Sequence, residues 1–451
     1  MAEFMRSSDA FSWSMERDPG LRSTIVTIVL LDRSPDWGQI VERFDRLCRT
    51  LPMFRQKVVE SPAPAPPRWE LDPDFDLGFH MRRVSAPEPA TVDTVLEMAR
   101  LAAMADFDRA RPLWEATLID GLADGGAALL CKLHHALTDG VGGVQIAMTL
   151  YGLTEVGEEH DTVAPSHPPA PLAGFADVLR YEAGLAGAAL TGAVRAAPTL
   201  IINGVRRPGA AVTDAGATAA SVYRTVRPIS APGSPLMRNR KLIRRLGIHD
   251  VPKARLRGAG HVAGGSLNDA FVAAVTGGLR RYHDKHGATV GDLHMTMPIS
   301  IRTAADAMGG NRVTLMRFDV PVAAADPAQR IRIIHERAAK MRNERSLPYT
   351  GIIAGVLNLM PRWYVGAVLR NVDFVTSDVP GIPVPVSLGG ASVRMQYAFS
   401  PTIGAGLNVT LLSYVDTCAL GINVDTGAIP DFDVFYDCLV DGFNEVLALA
   451  D

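Results

Sequence analysis

Cysteine is scarce in this sequence of 451 residues, and no two cysteines form a Cys-x-x-Cys pair. The four are Cys48, Cys131, Cys418 and Cys438. A disulfide scaffold or a four-cysteine zinc site is therefore not expected, and a reducing compartment such as the cytoplasm is favoured. No apolar run opens the chain, so we expect no signal peptide. The longest weakly polar stretches, residues 183–194 and 351–360, are well short of the ~20 residues that a membrane-spanning helix requires.

A surplus of positive charge is also missing. The formal net charge is −3, so the composition gives no reason to expect a nucleic-acid partner. Hydrophobic residues make up 47% and charged residues 21% of the chain, which is enough apolar side chain for a sizeable core and excludes bulk disorder. A chain of this length suits two large domains better than one.

Three parts can be distinguished along the chain. In residues 1–155, apolar strand patterns alternate with helical periods, whereas residues 156–235 are rich in proline, alanine and glycine, as expected of an interdomain crossover. Residues 236–451 again mix the two periods. The last predicted strands follow one another in the order of a meander, at 392–399, 407–415 and 418–424. We therefore predict an α+β fold with mixed sheets rather than a doubly wound α/β domain.

The end of the predicted crossover is strongly basic. Between Arg224 and Arg257 there are ten cations against a single acid, Asp250. Such a run is usually a solvated face. Alternatively, it attracts the phosphates of a substrate or the head groups of anionic lipids, to which each nearby cation adds ~1 kcal/mol. The sequence leaves these interpretations open.

One segment, residues 132–143, combines several groups that can do chemistry. It reads Lys-Leu-His-His-Ala-Leu-Thr-Asp-Gly-Val-Gly-Gly and lies where a predicted strand ends and a predicted helix begins. Alternation along the strand puts His134 and His135 on opposite faces, so the two cannot do the same work. Asp139 can accept a backbone N–H or meet an arginine and so hold the loop. Gly140 is expected to supply a left-handed turn.

A histidine at a strand end can take a proton from an alcohol or thiol near neutral pH, because its ordinary pKa is ~6.5. No Gly-x-Ser-x-Gly elbow is present, which disfavours a serine-nucleophile hydrolase. A base without its own nucleophile indicates direct transfer between two bound substrates. Two alternatives stay open from the residues alone: a structural histidine pair, or a metal site using His135 and Asp139. The metal site lacks a third ligand nearby in sequence.

The two histidines also belong to a recognisable pattern. His134-His135-x-x-x-Asp139-Gly140 matches the HHxxxDG motif of CoA-dependent acyltransferases of the chloramphenicol acetyltransferase-like superfamily. Four further segments of one family follow its order, namely Pro112-Leu113-Trp114, Leu267-Asn268-Asp269, Met297-Pro298-Ile299-Ser300-Ile301-Arg302 with Gly310-Asn311, and Ser377-Asp378-Val379-Pro380-Gly381. From about residue 7 to its end, the chain resembles the bacterial wax ester synthase / acyl-CoA:diacylglycerol acyltransferase family.

The resemblance implies a fold and a reaction. The fold is two chloramphenicol acetyltransferase-like α+β lobes with a channel between them, formed by residues 1–155 and 236–451 and joined by residues 156–235. The reaction is transfer of a long-chain fatty acyl group from acyl-CoA to a lipid alcohol. Diacylglycerol, giving triacylglycerol, is the first candidate acceptor, and a fatty alcohol, giving a wax ester, is the second. Acyl-CoA would be a substrate, with no metal and no tightly bound cofactor.

The resemblance also assigns roles to residues. His135 becomes the general base that deprotonates the acceptor hydroxyl, and His134, Asp139 and Gly140 become its supports. In the second lobe, Asn268 and its neighbour Asp269 are candidate oxyanion or substrate contacts; in other acyl transfers one oxyanion donor is worth ~3–4 kcal/mol. The alternative is that Ser266, Asn268 and Asp269 only cap the helix that they open.

Two segments depart from the family pattern. Ser8-Asp9-Ala10-Phe11 fits the N-terminal Asp-x-x-Phe pattern only roughly, and Asp378 replaces the usual asparagine. Neither position is the expected base, so the chemistry is expected to survive. These departures can change the preference for the acyl-chain length of the donor and the preference for the acceptor.

Two other functions remain open at this stage. One is a CoA- or carrier-dependent acyltransferase of the same superfamily with other substrates, and the other is a non-catalytic lipid-binding protein of the same fold. Peripheral contact with a membrane or lipid-droplet surface is a further expectation, because residues 183–205 and 351–368 are apolar with interspersed basic and aromatic side chains. The alternative is that both segments pack against the lobes. The sequence sets no oligomeric state.

Overall fold

The computed structural model describes residues 3–62, 65–153, 227–300, 313–342, 357, 360 and 362–451. Most of the predicted crossover, 156–235, lies outside the described residues, as does the candidate surface segment 183–205. The motif residues Arg302 and Gly310-Asn311 lie outside them too. The predicted domain boundaries therefore remain predictions.

Helices and strands alternate through the described chain. The helices are α1 (Ser7–Met15), α2 (Trp37–Thr50), α3 (Leu77–His80), α4 (Val92–Met104), α5 (Gly140–Tyr151), α6 (Lys253–Val262), α7 (Leu267–Lys285), α8 (Pro327–Arg342), α9 (Arg362–Leu369) and α10 (Phe432–Leu447). The strands are β1 (Glu3–Phe4), β2 (Thr24–Leu31), β3 (Gln56–Val59), β4 (Arg68–Leu71), β5 (Met81–Ser85), β6 (Trp114–Asp120), β7 (Ala127–His134), β8 (Arg244–Pro252), β9 (Asp292–Ser300), β10 (Val313–Pro321), β11 (Phe374–Ile382), β12 (Ser387–Leu388), β13 (Ala391–Phe399), β14 (Leu407–Tyr414) and β15 (Thr417–Asp425).

The first large sheet carries the segment with the two histidines. Its strand order is β12-β13-β2-β7-β6-β5, and all neighbours are antiparallel except β5 and β6. β2 and β7 pair along their whole lengths, from Thr24 opposite His134 to Leu31 opposite Ala127. Both strands are apolar on both faces, as expected of strands that are covered on two sides. The histidine pair thus sits at the end of a central strand.

The second large sheet has the order β10-β9-β11-β14-β15-β8. β11 pairs in parallel with β9 and β14, and the other pairs are antiparallel. Helices α7 and α10 cross closely over this sheet, because Gly442 meets Gly278 with no side chain between them; an added Cβ on Gly442 would lie 2.4 Å from the Gly278 nitrogen. Together the two mixed sheets and their helices confirm the predicted α+β class.

The predicted meander of the last strands is wrong. β14 and β15 form a hairpin in the second sheet, but β13, which precedes them, pairs with β2 in the first sheet, with Val393 opposite Leu31 and Phe399 opposite Val26. The chain from the second half therefore completes the sheet of the first half. Period-2 alternation identifies β13 as a strand but carries no information about its partner.

Part of the basic segment is structural rather than a solvated face. The Arg240 guanidinium donates to the carbonyls of Gly404 and Val372 at 2.9 and 3.1 Å. Arg244 pairs with the buried carboxylate of Asp425 at 3.1 Å. Arg224 lies outside the described residues. These cations fix the start of β8 to the second sheet.

Candidate active site

An apolar cavity lies between the two large sheets. Its empty volume is about 1510 Å³, counted with the part that opens to solvent. The first half contributes one face of β2 and β7 together with side chains of α2 and α5, and the second half contributes residues of β9, β11, β13 and β14. The predicted channel between the lobes is therefore present.

His135 lines this cavity at the end of β7. Its backbone N–H donates to the Ser23 carbonyl at 2.9 Å, which extends the β2–β7 ladder by one residue and fixes the start of its side chain. Its Nδ1 atom is buried and has no hydrogen-bond partner in another of the described residues. Nε2 is therefore the ring nitrogen that the cavity can reach.

Burial lowers the pKa of His135, because the charged ring would lose hydration. Its own backbone carbonyl and the Asp139 carboxylate act in the opposite direction, and the neighbouring His134 ring lowers the pKa further. The net effect favours the neutral imidazole at neutral pH. A neutral imidazole can accept a proton, which is what a general base requires.

Asp139 and Gly140 build the turn between β7 and α5. The Asp139 Oδ1 atom accepts the Gly142 N–H at 2.7 Å and so caps the N-terminus of α5, as the sequence suggested when it placed an acceptor there. Gly140 does not have the left-handed backbone that we expected, since it is not among the glycines with positive φ. Its role is close approach, because an added Cβ would lie 2.9 Å from Val379 Cγ2 on β11.

His134 faces away from the cavity and is fully buried. Its Nδ1 atom accepts the Ala136 N–H at 3.0 Å, which leaves the ring proton on Nε2. That Nε2 lies 3.1 Å from Oε1 of Glu16, a carboxylate that is only 3% exposed. The same Oε1 accepts the Ser23 N–H at 2.5 Å. The first histidine is thus committed to a structural contact.

Glu16 is a residue that sequence reasoning missed. Burial opposes its ionisation, but the contact and charge of His134 and the Ser23 N–H outweigh burial and lower its pKa. It supports both histidines, since it touches His134 directly and holds Ser23, whose carbonyl binds His135. A lone glutamate at the end of a helix carries no sequence signal for such a role.

Asp378, the departure from the family pattern, lines the same cavity. Its side chain keeps solvent access, yet the protein around it removes enough hydration to raise its pKa to about 6, with Lys253 acting in the opposite direction. Asp378 therefore faces the cavity together with His135, as Asp139 and Glu115 also do.

Asn268 and Asp269 lie at the start of α7, as predicted, but their contacts differ. Asp269 and Ser266 form a reciprocal capping box, and Asp269 Oδ2 also meets His335 Nδ1 at 2.8 Å. Asn268 Nδ2 donates to the Met297 sulfur of β9 at 3.4 Å. Among the described residues, neither Asn268 nor Asp269 lines the cavity. The capping interpretation accounts for Ser266 and Asp269 and not for Asn268.

The described part of the chain shows neither a metal-ligand cluster nor a membrane-spanning helix. No group of three or more histidine, cysteine or carboxylate side chains there has the geometry to hold a metal ion. No helix there is long and apolar enough to cross a membrane.

Family models identify the chain. The model of the wax ester synthase/diacylglycerol acyltransferase catalytic domain matches residues 5–271, and the model of the C-terminal domain of the same family matches residues 309–446. The chain belongs to the wax ester synthase/diacylglycerol acyltransferase family. The resemblance deduced from the motifs is confirmed.

Individual relatives agree with the family assignment. A protein of Mycobacterium tuberculosis named for diacylglycerol O-acyltransferase activity is 36% identical over 446 residues, which cover 96% of this chain and 90% of the relative. The solved wax ester synthase/diacylglycerol acyltransferase from Marinobacter aquaeolei VT8 matches with a TM-score of 0.65 at 20% identity and covers 99% of both chains.

A second kind of solved structure shares the fold. The starter condensation domain of rhizomide synthetase, in complex with C8-CoA, matches with a TM-score of 0.64 at 12% identity and covers 100% of this chain and 95% of that one. At these identities the two solved structures show the fold alone. The predicted two-lobe, chloramphenicol acetyltransferase-like architecture is thereby confirmed for this member of the family.

Proposed function

We propose that the protein is an O-acyltransferase that moves a long-chain fatty acyl group from acyl-CoA to a lipid alcohol. Diacylglycerol is the first proposed acceptor and a fatty alcohol the second. The observation that carries the proposal is His135, held neutral at the edge of an apolar cavity between the lobes of a family member. Acyl-CoA enters as a substrate, and the mechanism uses no metal and no resident cofactor.

The proposed step is a direct transfer. His135 Nε2 accepts the proton of the acceptor hydroxyl while that oxygen attacks the thioester carbonyl carbon. The tetrahedral intermediate then breaks its carbon–sulfur bond, and the departing thiolate receives the proton from the His135 ring. The products are the ester and free CoA thiol, and the ring returns to its neutral state for the next cycle.

Three neighbours support the base in this proposal. Asp139 caps α5 and so fixes the loop after His135, while Gly140 lets that loop approach β11. His134, bound to Glu16, fixes the strand end. These residues act on the position of the base and do not touch the reacting atoms.

The developing oxyanion requires a hydrogen-bond donor. Asn268 is the candidate, but its amide donates to Met297 and would have to leave that sulfur to reach an oxyanion. Asp269 is engaged in the capping box and is proposed only as a support for Asn268. A purified Asn268→Ala protein with unchanged turnover would remove both from the mechanism.

The reaction class is tested by following CoA thiol release from palmitoyl-CoA with diolein or hexadecanol as acceptor, together with extraction of the ester. We expect thiol release that depends on an acceptor and matches the ester formed. Release only with a carrier-bound donor would instead assign the chain to carrier-dependent chemistry. Binding of palmitoyl-CoA without release, for any acceptor, would identify a lipid-binding protein.

Contact with a lipid surface is a second, separate proposal. Trp363 on α9 and the nearby Met360 are 74% and 41% exposed, and Leu242 and Ile243, beside the basic residues of the crossover exit, are 57% and 54% exposed. Apolar side chains beside cations favour an anionic lipid surface. Flotation with anionic vesicles at low salt tests this proposal, and a protein that stays at the bottom of the gradient contradicts it.

A further inference from the structure

Rows of side chains on one face of the first sheet form the floor of the cavity. In an antiparallel pair, directly opposite residues point to the same face. The pairs that line the cavity are Ile25–Leu133, Thr27–Cys131 and Val29–Leu129. His135 follows Leu133 on this face. Each of the three pairs forms one row, and successive rows lie two residues farther along β7 from His135.

The length of this floor can be measured along two elements. From His135 back to Leu129 the strand advances six residues, or ~20 Å at ~3.3 Å per residue. Helix α5 runs back above it from Gly140 to Tyr151, which is ~16 Å at ~1.5 Å per residue. An extended alkyl chain with C–C bonds of ~1.5 Å advances about 1.25 Å per methylene, so the floor holds roughly 16 carbons.

A hydrogen-bonded polar pair lies level with the last of these rows. Tyr151 Oη lies at the last residue of α5 and donates to Gln396 Oε1 at 3.1 Å. Gln396 lies opposite Val29, in the row farthest from His135. The two side chains are 9% and 7% exposed, and both line the cavity. Two buried polar groups are tolerated beside the apolar Val29 and Leu129 because the Tyr151 hydroxyl and the Gln396 amide oxygen bind each other.

The roof above the floor is formed by α5, and one strip of it consists of small residues. Gly140, Gly143 and Ala147 lie on one face of α5 and line the cavity. An added Cβ on Gly143 would meet nothing nearer than Thr138 Cγ2 at 3.9 Å, so space remains there. Ala147 lies seven residues along α5 from Gly140, or ~10 Å, about half-way along the floor.

We propose that this face is the channel for the alkyl chain of the acyl donor, and that the Tyr151–Gln396 pair is its end and sets the longest acyl chain that fits. The inference rests on the proposed function and names the residues that decide its chain-length specificity. The acyl chain of the donor is the better occupant, because it is a single alkyl chain attached to the thioester carbonyl that reacts beside the His135 ring. A diacylglycerol carries two chains, which this single closed floor does not match.

The wild-type protein gives the first test. With hexadecanol as fixed acceptor, kcat/KM is measured for acyl-CoAs from octanoyl to arachidoyl. We expect the value to rise up to palmitoyl-CoA and to fall about 10-fold for arachidoyl-CoA, as a closed apolar pocket rejects extra methylenes. A value that stays level from palmitoyl to arachidoyl would mean that nothing closes the channel at Gln396.

Two variants move the limit in opposite directions. Ala147→Phe fills the roof half-way, and we expect the optimum to shift to octanoyl- or decanoyl-CoA with a loss of about 10-fold or more for palmitoyl-CoA. Leu101→Phe, on the exposed side of α4, is its control for an added apolar side chain.

Gln396→Ala removes one side chain of the pair that ends the channel. We expect the ratio of kcat/KM for arachidoyl-CoA to that for palmitoyl-CoA to rise about 10-fold. Gln396→Met keeps the length of the side chain and should keep the wild-type ratio.

The outcomes separate the inference from the proposed function. Unchanged acyl-length profiles in Ala147→Phe and Gln396→Ala, with turnover intact, overturn the channel assignment. A shift in the alcohol-length profile at fixed palmitoyl-CoA, without a shift in the acyl profile, also overturns it. If the wild type shows no turnover, the proposed function fails, and the Kd values of the same acyl-CoAs decide the channel independently. If Ala147→Phe does not fold, Gln396→Ala decides alone.

Discussion

A buried carboxylate, Glu16, connects the two histidines of the motif. Its Oε1 atom lies 3.1 Å from His134 Nε2 and accepts the Ser23 N–H at 2.5 Å, and the Ser23 carbonyl in turn accepts the His135 N–H at 2.9 Å. Each contact fixes the next, so the orientation of the base depends on a residue that is more than a hundred positions away in sequence. Such a support is a positioning element and not a reacting group.

Glu16→Gln is expected to lower the free energy of unfolding by about 1–3 kcal/mol at neutral pH, because a buried, hydrogen-bonded charge is lost. The pKa of Glu16 is lowered in the folded protein. Its stabilising contribution is therefore present above the ordinary glutamate value of ~4.3 and is lost as the pH falls through the lower folded value. The difference between wild type and Glu16→Gln in urea unfolding should keep its size from pH ~7 down to pH ~5 and should shrink as the pH falls further to ~3.

The control for this prediction is Glu42→Gln, at an exposed position of α2. We expect it to change the unfolding free energy by less than about 0.5 kcal/mol at either pH. A Glu16→Gln effect of the same size as that of Glu42→Gln, or one that does not depend on pH, would contradict the role assigned to Glu16.

The pH dependence of turnover tests the protonation state of His135. Burial lowers its pKa, so the neutral form persists below the ordinary histidine value. The acidic limb of kcat/KM should therefore lie below pH ~6.5. Asp378 is one of the carboxylates that line the same cavity, and its pKa, raised to about 6, makes it a second candidate for this limb. We expect the limb to persist in Asp378→Asn; its disappearance there would assign it to Asp378.

The sequence predicted some of the site and not the rest, for a physical reason. His134, His135, Asp139 and Gly140 are neighbours in the chain, so their pattern and spacing indicate a turn with a base. Glu16, Tyr151 and Gln396 reach the site only through folding, and each is an ordinary residue in its own element. No local period or spacing distinguishes a glutamate that will meet a histidine from one that will face water.

The clearest case at the scale of elements is the crossing of α7 and α10. An added Cβ on Gly442 would lie 2.4 Å from the Gly278 nitrogen and 2.5 Å from the Ala274 carbonyl oxygen, and neither backbone atom can move freely. Gly442→Ala is expected to lower the free energy of unfolding by about 1–3 kcal/mol, because the added methyl group forces the two helices apart. Urea unfolding of the purified proteins measures the change.

Gly291→Ala is the matched control for this crossing, because an added Cβ there meets nothing within 4 Å. We expect it to be nearly neutral. A Gly442→Ala protein as stable as Gly291→Ala would mean that the two helices are farther apart than described.

The positions of helices and strands were predicted well, because local sequence signals decide them. The pairing of strands was predicted poorly, because it depends on a partner strand that is distant in sequence. The sequence placed the end of a strand and the start of a helix within residues 132–143, where β7 ends at His134 and α5 begins at Gly140, because an apolar run and an Asp-Gly turn mark that segment. It identified β13 as a strand near 392–399 but assigned it to a meander. Pairing of β13 with β2 joins residues more than 350 positions apart, and nothing within either strand specifies that choice.

At the scale of the whole molecule, β13 joins the two halves. It contributes Gln396 and Ala398 to the floor of the cavity from a strand that belongs to the second half of the chain. The first sheet is therefore incomplete without residues 387–399, and β2 would present an open edge.

A fragment of residues 1–155 is accordingly expected to be unstable alone. Hydrogen exchange should find the β2 amides that face β13 unprotected in the fragment and protected in the full chain. Protection of those amides in the isolated fragment at the level of the full chain would contradict the shared sheet as the basis of the fold.

The central claim is that His135, in the cavity between the halves, is the base of the acyl transfer. Its most direct test is turnover of palmitoyl-CoA with hexadecanol by His135→Ala, compared with wild type after urea unfolding has shown that the two are equally stable. The account predicts that kcat falls about 10²- to 10⁴-fold, the range that one general base contributes. A folded His135→Ala protein with turnover within a few-fold of wild type would contradict it.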